Sequence, residues 1–326
     1  MSESNPWAWY LDPDVLRLER ERIFRSAWHY VCHAGRLPEP SSYFACETGG
    51  VPTMLVRDKH GELRAFLNVC RHRGAEIVSG EGRRETLQCP YHAWTYGLDG
   101  GLRSAPRSDE ADLDDLQLYP LRLEAWGPFL FVNADPAVPP LSVELELPFD
   151  PAGLRFHGRV EYCLAANWKI AVENYLECYH CPVAHPGFSK VVDVDPDAYE
   201  LIGEGPVWSQ YGRAREGDGR CEFHLLWPGL KVNVYPGFAN LSIGPVWPES
   251  PERTVGFLDY FFGADVPDDA ARELIDFDDQ VGREDTALVE SVQRGVRTGL
   301  IERGRLLPGS ERLIEGFQRK VAESLT

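Results

Sequence analysis

Two cysteines and two histidines crowd into the 23 residues from Cys70 to His92. They form a C-x-H loop, a gap of sixteen residues and a C-x-x-H loop. All four are metal-binding residue types, and the 326-residue chain contains only eight cysteines and nine histidines. In a chain with so few cysteines, this clustering of Cys with His suggests a metal centre.

Three interpretations of Cys70, His72, Cys89 and His92 compete. A structural zinc ion takes two Cys and two His, but zinc fingers usually place like ligands on the same loop. Chance placement is the second interpretation, and the tight spacing argues against it. A Rieske [2Fe–2S] cluster binds one iron through two Cys and the other through two His. One Cys and one His per loop is the pattern that such a cluster needs, so we favour it.

Composition excludes several classes of protein. The formal net charge is −18, from 33 basic and 51 acidic residues. Binding to nucleic acid or to an anionic membrane surface needs clustered basic residues, so we expect neither partner. We find no leader at the start and no apolar run of the length that a membrane helix needs, so we expect a cytoplasmic protein.

The residue patterns predict an α+β chain, and we divide it into four parts. We expect an N-terminal helical segment over 1–39, with a helix at 12–31, and an all-β module over 40–138. A proline-rich linker follows at 139–154. Residues 155–326 predict a second domain: an antiparallel sheet with helices packed on it, including helical patterns at 167–181 and near the C-terminus.

The two loops resemble those of the α (terminal oxygenase) subunit of Rieske non-heme iron oxygenases, the aromatic ring-hydroxylating family. The family's first loop, C-R-H-R-G, is matched by Cys70–Gly74. Its second loop, C-P-Y-H-G-W, is matched from Cys89 to Trp94 except that Ala93 replaces Gly. The resemblance implies a small Rieske domain followed by a helix-grip-type catalytic domain.

The resemblance also implies a mononuclear Fe(II) held by two His and one carboxylate, which leaves one face of the metal open. The family's acid-x-x-His-x₄-His pattern is matched by Glu177, His180 and His185. Spacing alone puts Glu177 and His180 on one helix face. The third ligand implied by the resemblance is Asp285. For the other acids of the same segment and for the two flanking cysteines we expect solvation and packing roles: Asp276, Asp278, Asp279, Cys178 and Cys181.

Two further residues receive catalytic roles. In the family, the acid at Glu177 connects the Rieske histidine of one subunit to a mononuclear-site histidine of its neighbour. This implies a homotrimer, and the short chain favours one without β subunits. We also expect Asn174, one turn earlier, to line the site.

The resemblance implies a terminal oxygenase that hydroxylates a small organic substrate with O₂. Electrons would come from NAD(P)H through a separate reductase, with or without a ferredoxin, since the chain has no G-x-G-x-x-G dinucleotide motif. Dihydroxylation, monohydroxylation and oxidative demethylation stay open. Glu177 and "ENYLECYHC" resemble relatives that act on quaternary ammonium compounds. Five aromatic residues are candidates for a cation box, with a sheet core or an apolar pocket as the alternatives: Trp208, Tyr211, Phe223, Trp227 and Tyr235.

Two alternatives from other classes are kept. One is a non-catalytic, zinc-stapled ligand-binding protein. The other is an electron carrier that holds a Rieske cluster alone, for which 326 residues are more than the task needs.

Overall fold

The computed structural model describes residues 2–108, 113 and 116–326. Its contacts divide the chain into two compact units. One unit comprises the N-terminal residues up to Phe24 together with Glu144–Thr326, and the other comprises Arg25–Val143. The main difference from the divisions expected from sequence lies at residues 25–39, which pack with the β-rich unit.

The helices are short except near the C-terminus. In the described residues they are α1 (Pro13–Glu19), α2 (Trp168–Tyr175), α3 (Cys181–Ala184), α4 (Phe188–Val191), α5 (Asp268–Val296) and α6 (Arg312–Leu325). None of the helices in the described part of the chain combines the length and apolar composition that crossing a bilayer requires.

The strands account for most of the remaining regular structure. The first eleven are β1 (Ser2–Glu3), β2 (His29–His33), β3 (Ser42–Thr48), β4 (Val51–Arg57), β5 (Leu63–Leu67), β6 (Glu81–Arg83), β7 (Thr86–Gln88), β8 (Thr95–Gly97), β9 (Leu102–Ser104), β10 (Pro120–Trp126) and β11 (Phe129–Asn133). The others are β12 (Leu154–Leu164), β13 (Glu200–Glu204), β14 (Val207–Arg213), β15 (Arg220–Leu226), β16 (Leu230–Val234), β17 (Asn240–Ser250), β18 (Arg253–Gly263) and β19 (Arg305–Leu306).

Two antiparallel sheets organise the β-rich unit. Its larger sheet has the strand order β2-β11-β10-β5-β4-β3-β6, and a three-stranded sheet has the order β7-β8-β9. The second metal-binding loop connects β7 to β8, and the first follows β5. Both loops therefore extend from strand ends, which fixes their bases and leaves their tips free to bind a ligand.

The second unit is built on one antiparallel sheet in the order β12-β18-β17-β16-β15-β14-β13. Helix α5 packs against β12 and α2, and α6 packs against β13. Trp168 is fully buried, with its ring 4.9 Å from that of Phe24 and 5.6 Å from that of Phe317. The expected α+β class with an antiparallel sheet in the second domain is confirmed.

The predicted helix over 12–31 is correct only in its first half. Asp12 caps the start of α1, Pro13 occupies its first turn, and a π-helical turn continues to Phe24. The end of the predicted helix is wrong, because His29–His33 forms β2 and pairs with β11. The sequence there has helix-like periodicity, but the residues form a strand because burial of its central residues in the sheet outweighs that local preference.

The predicted helix over 167–181 ends early. Asn167 caps the start of α2 through the amide of Lys169, and the helix stops at Tyr175. Glu177 and His180 lie in the loop before α3, so the expectation that they share a helix face is wrong. A disulfide joins Cys178 to Cys181, whose Cα atoms are 5.0 Å apart. Both cysteines were expected only to pack, and the cross-link between them was not predicted from sequence.

Candidate active site

The four predicted cluster ligands are separated by residue type in the structure. The Cys70 and Cys89 thiols are buried. The His72 and His92 rings are exposed and lie 4.7 Å apart between centroids. Thiols on the inner side and imidazoles on the outer side fit a [2Fe–2S] cluster, in which one iron takes both Cys and the other both His.

Backbone turns hold each of these loops. The Gly74 amide donates to the Cys70 carbonyl, and the Ala93 amide donates to the Cys89 carbonyl. Gly74 and Ala93 both have positive φ, 76° and 59°. Glycine adopts this conformation without strain, but alanine pays a steric cost there. The substitution of Ala for the family's Gly therefore raises the conformational energy of this turn.

Two aromatic residues beside the first site were not identified from sequence. The Trp94 ring stacks on His72 at 4.8 Å and 6° between planes. The Tyr96 hydroxyl lies 3.3 Å from Cys70 Sγ and accepts a hydrogen bond from the Arg71 amide. Hydrogen bonds to cluster sulfur are one of the means by which proteins set the reduction potential. The available sequence signal was their position: Trp94 is the last residue of the C-P-Y-H-A-W loop, and Tyr96 follows two residues later.

The second site brings together residues that are 105 positions apart in the chain. His180 comes from the loop after α2, His185 ends α3, and Asp285 lies on α5. Their ligand atoms all lie within 4.8 Å of one another. Among the described residues, no other group of three or more His, Cys, Asp or Glu side chains meets this distance.

The distances between these atoms suit an octahedral metal. His185 Nε2 is 3.0 Å from His180 Nε2 and 3.0 Å from Asp285 Oδ1, and the third side of the triangle is 3.3 Å. Metal–nitrogen bonds of about 2.1 Å at right angles place neighbouring ligand atoms about 3 Å apart. The three residues therefore fit one face of an iron ion and leave the opposite face open.

Charge at this site favours a cation. Burial by itself disfavours a protonated imidazole, but hydrogen bonds to Asp285 and Glu177 outweigh it and raise the pKa of His180 to about 9. Burial also opposes ionisation of Asp285, yet its hydrogen bonds with His180 and His185 lower its pKa to about 2. A divalent cation would replace the shared proton among these ligands.

Carboxylates hold the outer nitrogen of each imidazole. Glu177 Oε1 pairs with His180 Nδ1. Glu284 Oε2 lies 2.8 Å from His185 Nδ1. Such partners fix the tautomer and direct Nε2 at the metal. Glu284 was not identified from sequence; its position directly before Asp285 was the available signal.

Asn174 lies at the same centre. Its amide donates to Asp285 Oδ1 at 3.1 Å and lies 3.4 Å from His180 Nε2. It occupies the last turn of α2, so the helix delivers it beside the loop that carries His180.

A cavity adjoins the three ligands and continues under α5. Its two parts measure about 110 and 280 Å³, which suits a small substrate. Asp278 lines both parts, and its carboxylate accepts hydrogen bonds from Tyr235 and Tyr260, each at 2.6 Å. The expectation that Asp278 solvates a helix face is therefore wrong, because α5 turns this position towards the sheet. Burial raises its pKa, and the two tyrosines oppose that shift.

The expected aromatic box is only partly assembled. Phe223 and Tyr235 line the cavity with rings 5.5 Å apart. Trp208 and Trp227 pack instead on Phe317 of α6, and Tyr211 packs on His224. Alternation along β14 turns Tyr211 away from the face that carries Gln210 and Phe223, whereas Trp208 and Trp227 lie farther along the sheet, beside α6. Four tyrosines from elsewhere also line the cavity: Tyr162, Tyr175, Tyr199 and Tyr260.

Comparison with known proteins identifies both units. The family model "Rieske [2Fe-2S] domain" matches residues 27–120, and "Ring hydroxylating alpha subunit (catalytic domain)" matches residues 151–326. The second match excludes a zinc-stapled binding protein and a carrier with a Rieske cluster alone, since it covers the region of the His180, His185 and Asp285 cluster.

Relatives of similar length are known. The carnitine monooxygenase oxygenase subunit of Escherichia coli (strain K12) is 36% identical over 331 residues, covering 94% of this chain and 87% of the relative. The chloroplastic choline monooxygenase of Spinacia oleracea is 32% identical, covering 98% of this chain and 78% of the relative.

Solved structures show the same architecture. The quaternary ammonium Rieske monooxygenase CntA in complex with L-carnitine superposes with a TM-score of 0.87 at 33% identity, covering all of this chain and 96% of that one. Naphthalene 1,2-dioxygenase with bound indole shares the fold, with a TM-score of 0.82 at 19% identity. The chain thus belongs to the Rieske non-heme iron oxygenases as an α (terminal oxygenase) subunit, an oxidoreductase of the class that uses a [2Fe–2S] cluster, a mononuclear iron and O₂.

Proposed function

We propose that this oxygenase hydroxylates a small quaternary ammonium compound, with electrons from a separate NAD(P)H-dependent reductase, directly or through a ferredoxin. The observation that carries the substrate class is the wall of the cavity beside His180, His185 and Asp285. It combines a carboxylate, Asp278, with tyrosine rings, the combination that binds a cation unable to donate hydrogen bonds. The similarity to carnitine and choline monooxygenases supports the same class.

The ligand roles are part of this proposal. Cys70, His72, Cys89 and His92 would hold the cluster, and His180, His185 and Asp285 the iron. When bound, the cluster supplies electrons singly and the iron supplies the open coordination face at which O₂ is activated. The remaining contribution of the protein is to orient ligands and exclude water.

Three side chains orient the iron ligands. Glu284 accepts the Nδ1–H of His185, which leaves Nε2 unprotonated for the metal. Glu177 does the same for His180. The Asn174 amide donates to Asp285 Oδ1 and so restricts rotation of that carboxylate.

We further propose that Glu177 connects two subunits of a homotrimer by accepting a hydrogen bond from His92 of a neighbouring copy. His92 is exposed, as an electron-delivering ligand must be. Next to Glu177 the loop exposes two apolar side chains, Tyr179 at 60% and Val183 at 88%, and Tyr91 beside His92 is 55% exposed. Exposed apolar residues around both groups are typical of surfaces that a partner covers.

A single-turnover experiment tests the activity without the reductase. The reconstituted protein, reduced by dithionite, is mixed with O₂ and one of three substrates: a trimethylammonium carboxylate, choline or naphthalene. The proposal expects a hydroxylation-derived product from an ammonium substrate and none from naphthalene. Product from naphthalene alone would overturn the substrate class. Iron and sulfide counts on the same sample, about three and two per chain, establish that both sites were loaded.

A further inference from the structure

The cavity beside the iron ligands contains a lysine that has no assigned role. Lys231 lies on β16 and, like Asp278, lines both parts of the cavity. Along this strand, Lys231 and Asn233 face the cavity, and Tyr235 follows in the same alternation. A positive charge is unexpected in a site for a cationic substrate, since like charges repel.

The Lys231 ammonium has aromatic neighbours and no salt-bridge partner among the described residues, although its charge acts on Asp278 and opposes the rise in the pKa of that carboxyl. The ammonium lies 4.6 Å from the ring centroid of Tyr162 and 5.6 Å from that of Tyr175. Among the described residues, no carboxylate forms an ion pair with it and no acceptor forms a hydrogen bond with it. The other lysine in the interior of this unit, Lys169, has its ion pair, with Glu19 at 2.5 Å. Lys231 thus keeps its N–H donors available to a ligand.

Asp278 is the opposite charge in the same cavity. Its two oxygens are each fixed by one tyrosine, Oδ1 by Tyr235 and Oδ2 by Tyr260. It lies seven residues before Asp285 on α5, two helical turns or about 10 Å along the axis, so it faces the same side. The two charges therefore attract each other across the cavity without a salt bridge, with Asp278 held by hydroxyl groups and Lys231 by ring faces.

We infer that the cavity selects a zwitterion, with Lys231 binding the carboxylate of a trimethylammonium carboxylate while Asp278 and the tyrosine rings bind its ammonium group. This inference rests on the proposed function, because it narrows the quaternary ammonium substrate to one that also carries an anionic end. A carboxylate uses the N–H donors of a lysine, whereas the methyl groups of a quaternary ammonium can only contact ring faces and an anion. Choline, which lacks the anion, would leave Lys231 without a partner.

The test is anaerobic calorimetric titration of the holoenzyme with γ-butyrobetaine and its methyl ester. Both carry the same trimethylammonium group, and only the first is an anion at its other end. We expect the acid to bind about 10- to 100-fold more tightly, the value of a charge-assisted hydrogen bond in a partly buried site. Lys231→Met should remove this preference, and Lys231→Arg should retain most of it.

Two control variants separate the charge at Lys231 from general effects. Lys320→Met removes another lysine that lies over aromatic rings, Trp208 and Trp227, outside the cavity, and should keep the preference. Asp278→Asn removes the charge while keeping one acceptor oxygen for a tyrosine hydroxyl, and it should weaken the binding of both compounds by the same factor, leaving the ratio of their affinities unchanged.

The outcomes are distinguishable. Equal binding of acid and ester by the unaltered protein, or equal weakening of both by Lys231→Met, would overturn the role of Lys231 and leave the quaternary ammonium class standing. Failure of the loaded protein to bind either compound would overturn the proposed function and this inference with it.

Discussion

The two metal sites differ in how far apart their ligands lie in the chain and in how far they are exposed. The four proposed cluster ligands span 23 residues, and both histidines reach the surface. The three proposed iron ligands span 106 residues, and His185 is only 1% exposed. An electron-accepting group must be near a partner, whereas a site for O₂ and substrate must exclude water. A local loop pair meets the first need, and a long helix against a sheet meets the second.

The strongest expected contrast between the sites comes from removing one iron ligand. Asp285→Ala should lose the mononuclear iron and reduce turnover to background, while cluster absorption stays unchanged. Loss of a ligand costs more than the roughly 100-fold that loss of a ligand's hydrogen-bond partner costs. Asp276→Ala, on an exposed position of the same helix, is the control and should have no effect. Full iron content in Asp285→Ala would remove this residue from the ligand set.

The next contrast compares the two carboxylates that bind imidazole nitrogens. Glu177→Gln should retain both metals yet reduce turnover by about 100-fold, because electrons would no longer pass between subunits. Glu284→Gln should instead weaken iron binding by about 10-fold and regain turnover when excess Fe(II) is added. Rapid-mixing measurements of cluster reoxidation test electron transfer in Glu177→Gln. Iron titration tests the affinity of Glu284→Gln for Fe(II). Similar behaviour of both variants would show that Glu177 only orients His180.

A third prediction concerns the pH dependence of the unit that contains the iron ligands. Burial raises the pKa of Glu173 to about 7, although hydrogen bonds from Tyr10 and Gln318 oppose the shift. A carboxyl whose folded-state pKa is raised stabilises the fold below its unfolded-state pKa of 4.5, and the effect is lost as pH rises through 7. We expect the free energy of unfolding of this unit to fall by up to about 3 kcal/mol between pH 4.5 and 8.

Glu173→Gln is the matched variant for that measurement. It keeps an acceptor for Tyr10 and cannot ionise, so its unfolding free energy should be flatter over the same range. Urea unfolding followed by tryptophan fluorescence at several pH values gives the comparison. An equally steep dependence in the variant would assign the effect to another group.

The smallest expected effects are in the Rieske loops. Ala93→Gly should stabilise the protein by about 1 kcal/mol, because φ of 59° strains alanine and not glycine. Gly74→Ala should destabilise it by a similar amount, since its φ is 76° and no atom lies near the added Cβ except its own backbone. Thermal unfolding of both variants and of the unaltered protein measures these two changes in stability. A change of the same sign in both would mean that contacts, and not backbone strain, dominate in these turns.

Prediction from sequence succeeded where spacing is local and failed where the surrounding fold decides. Within the C-R-H-R-G loop and within the C-P-Y-H-A-W loop, short spacing keeps the proposed Cys and His ligands close, and the resemblance to the family predicted that the two loops meet. The helix expected over 167–181 breaks at Tyr175, because the fold stops α2 and the Cys178–Cys181 cross-link closes the next turn. The strand His29–His33 replaces a predicted helix because pairing with β11 outweighs local periodicity.

The residue types that bind iron and sulfur, their order and their loop spacing were determined by the sequence itself, since each depends on chemistry and short-range geometry. Only the tertiary structure decided which acids face the metal and the cavity. Asp278, Asp279 and Asp285 lie on one helix, and the orientation of α5 against the sheet directs Asp278 to two tyrosines while Asp279 pairs with Arg283. Likewise, Lys231 enters the cavity because β16 is a central strand whose alternate side chains face α5. Which face of an element is covered depends on packing between residues distant in sequence, and local patterns do not encode it.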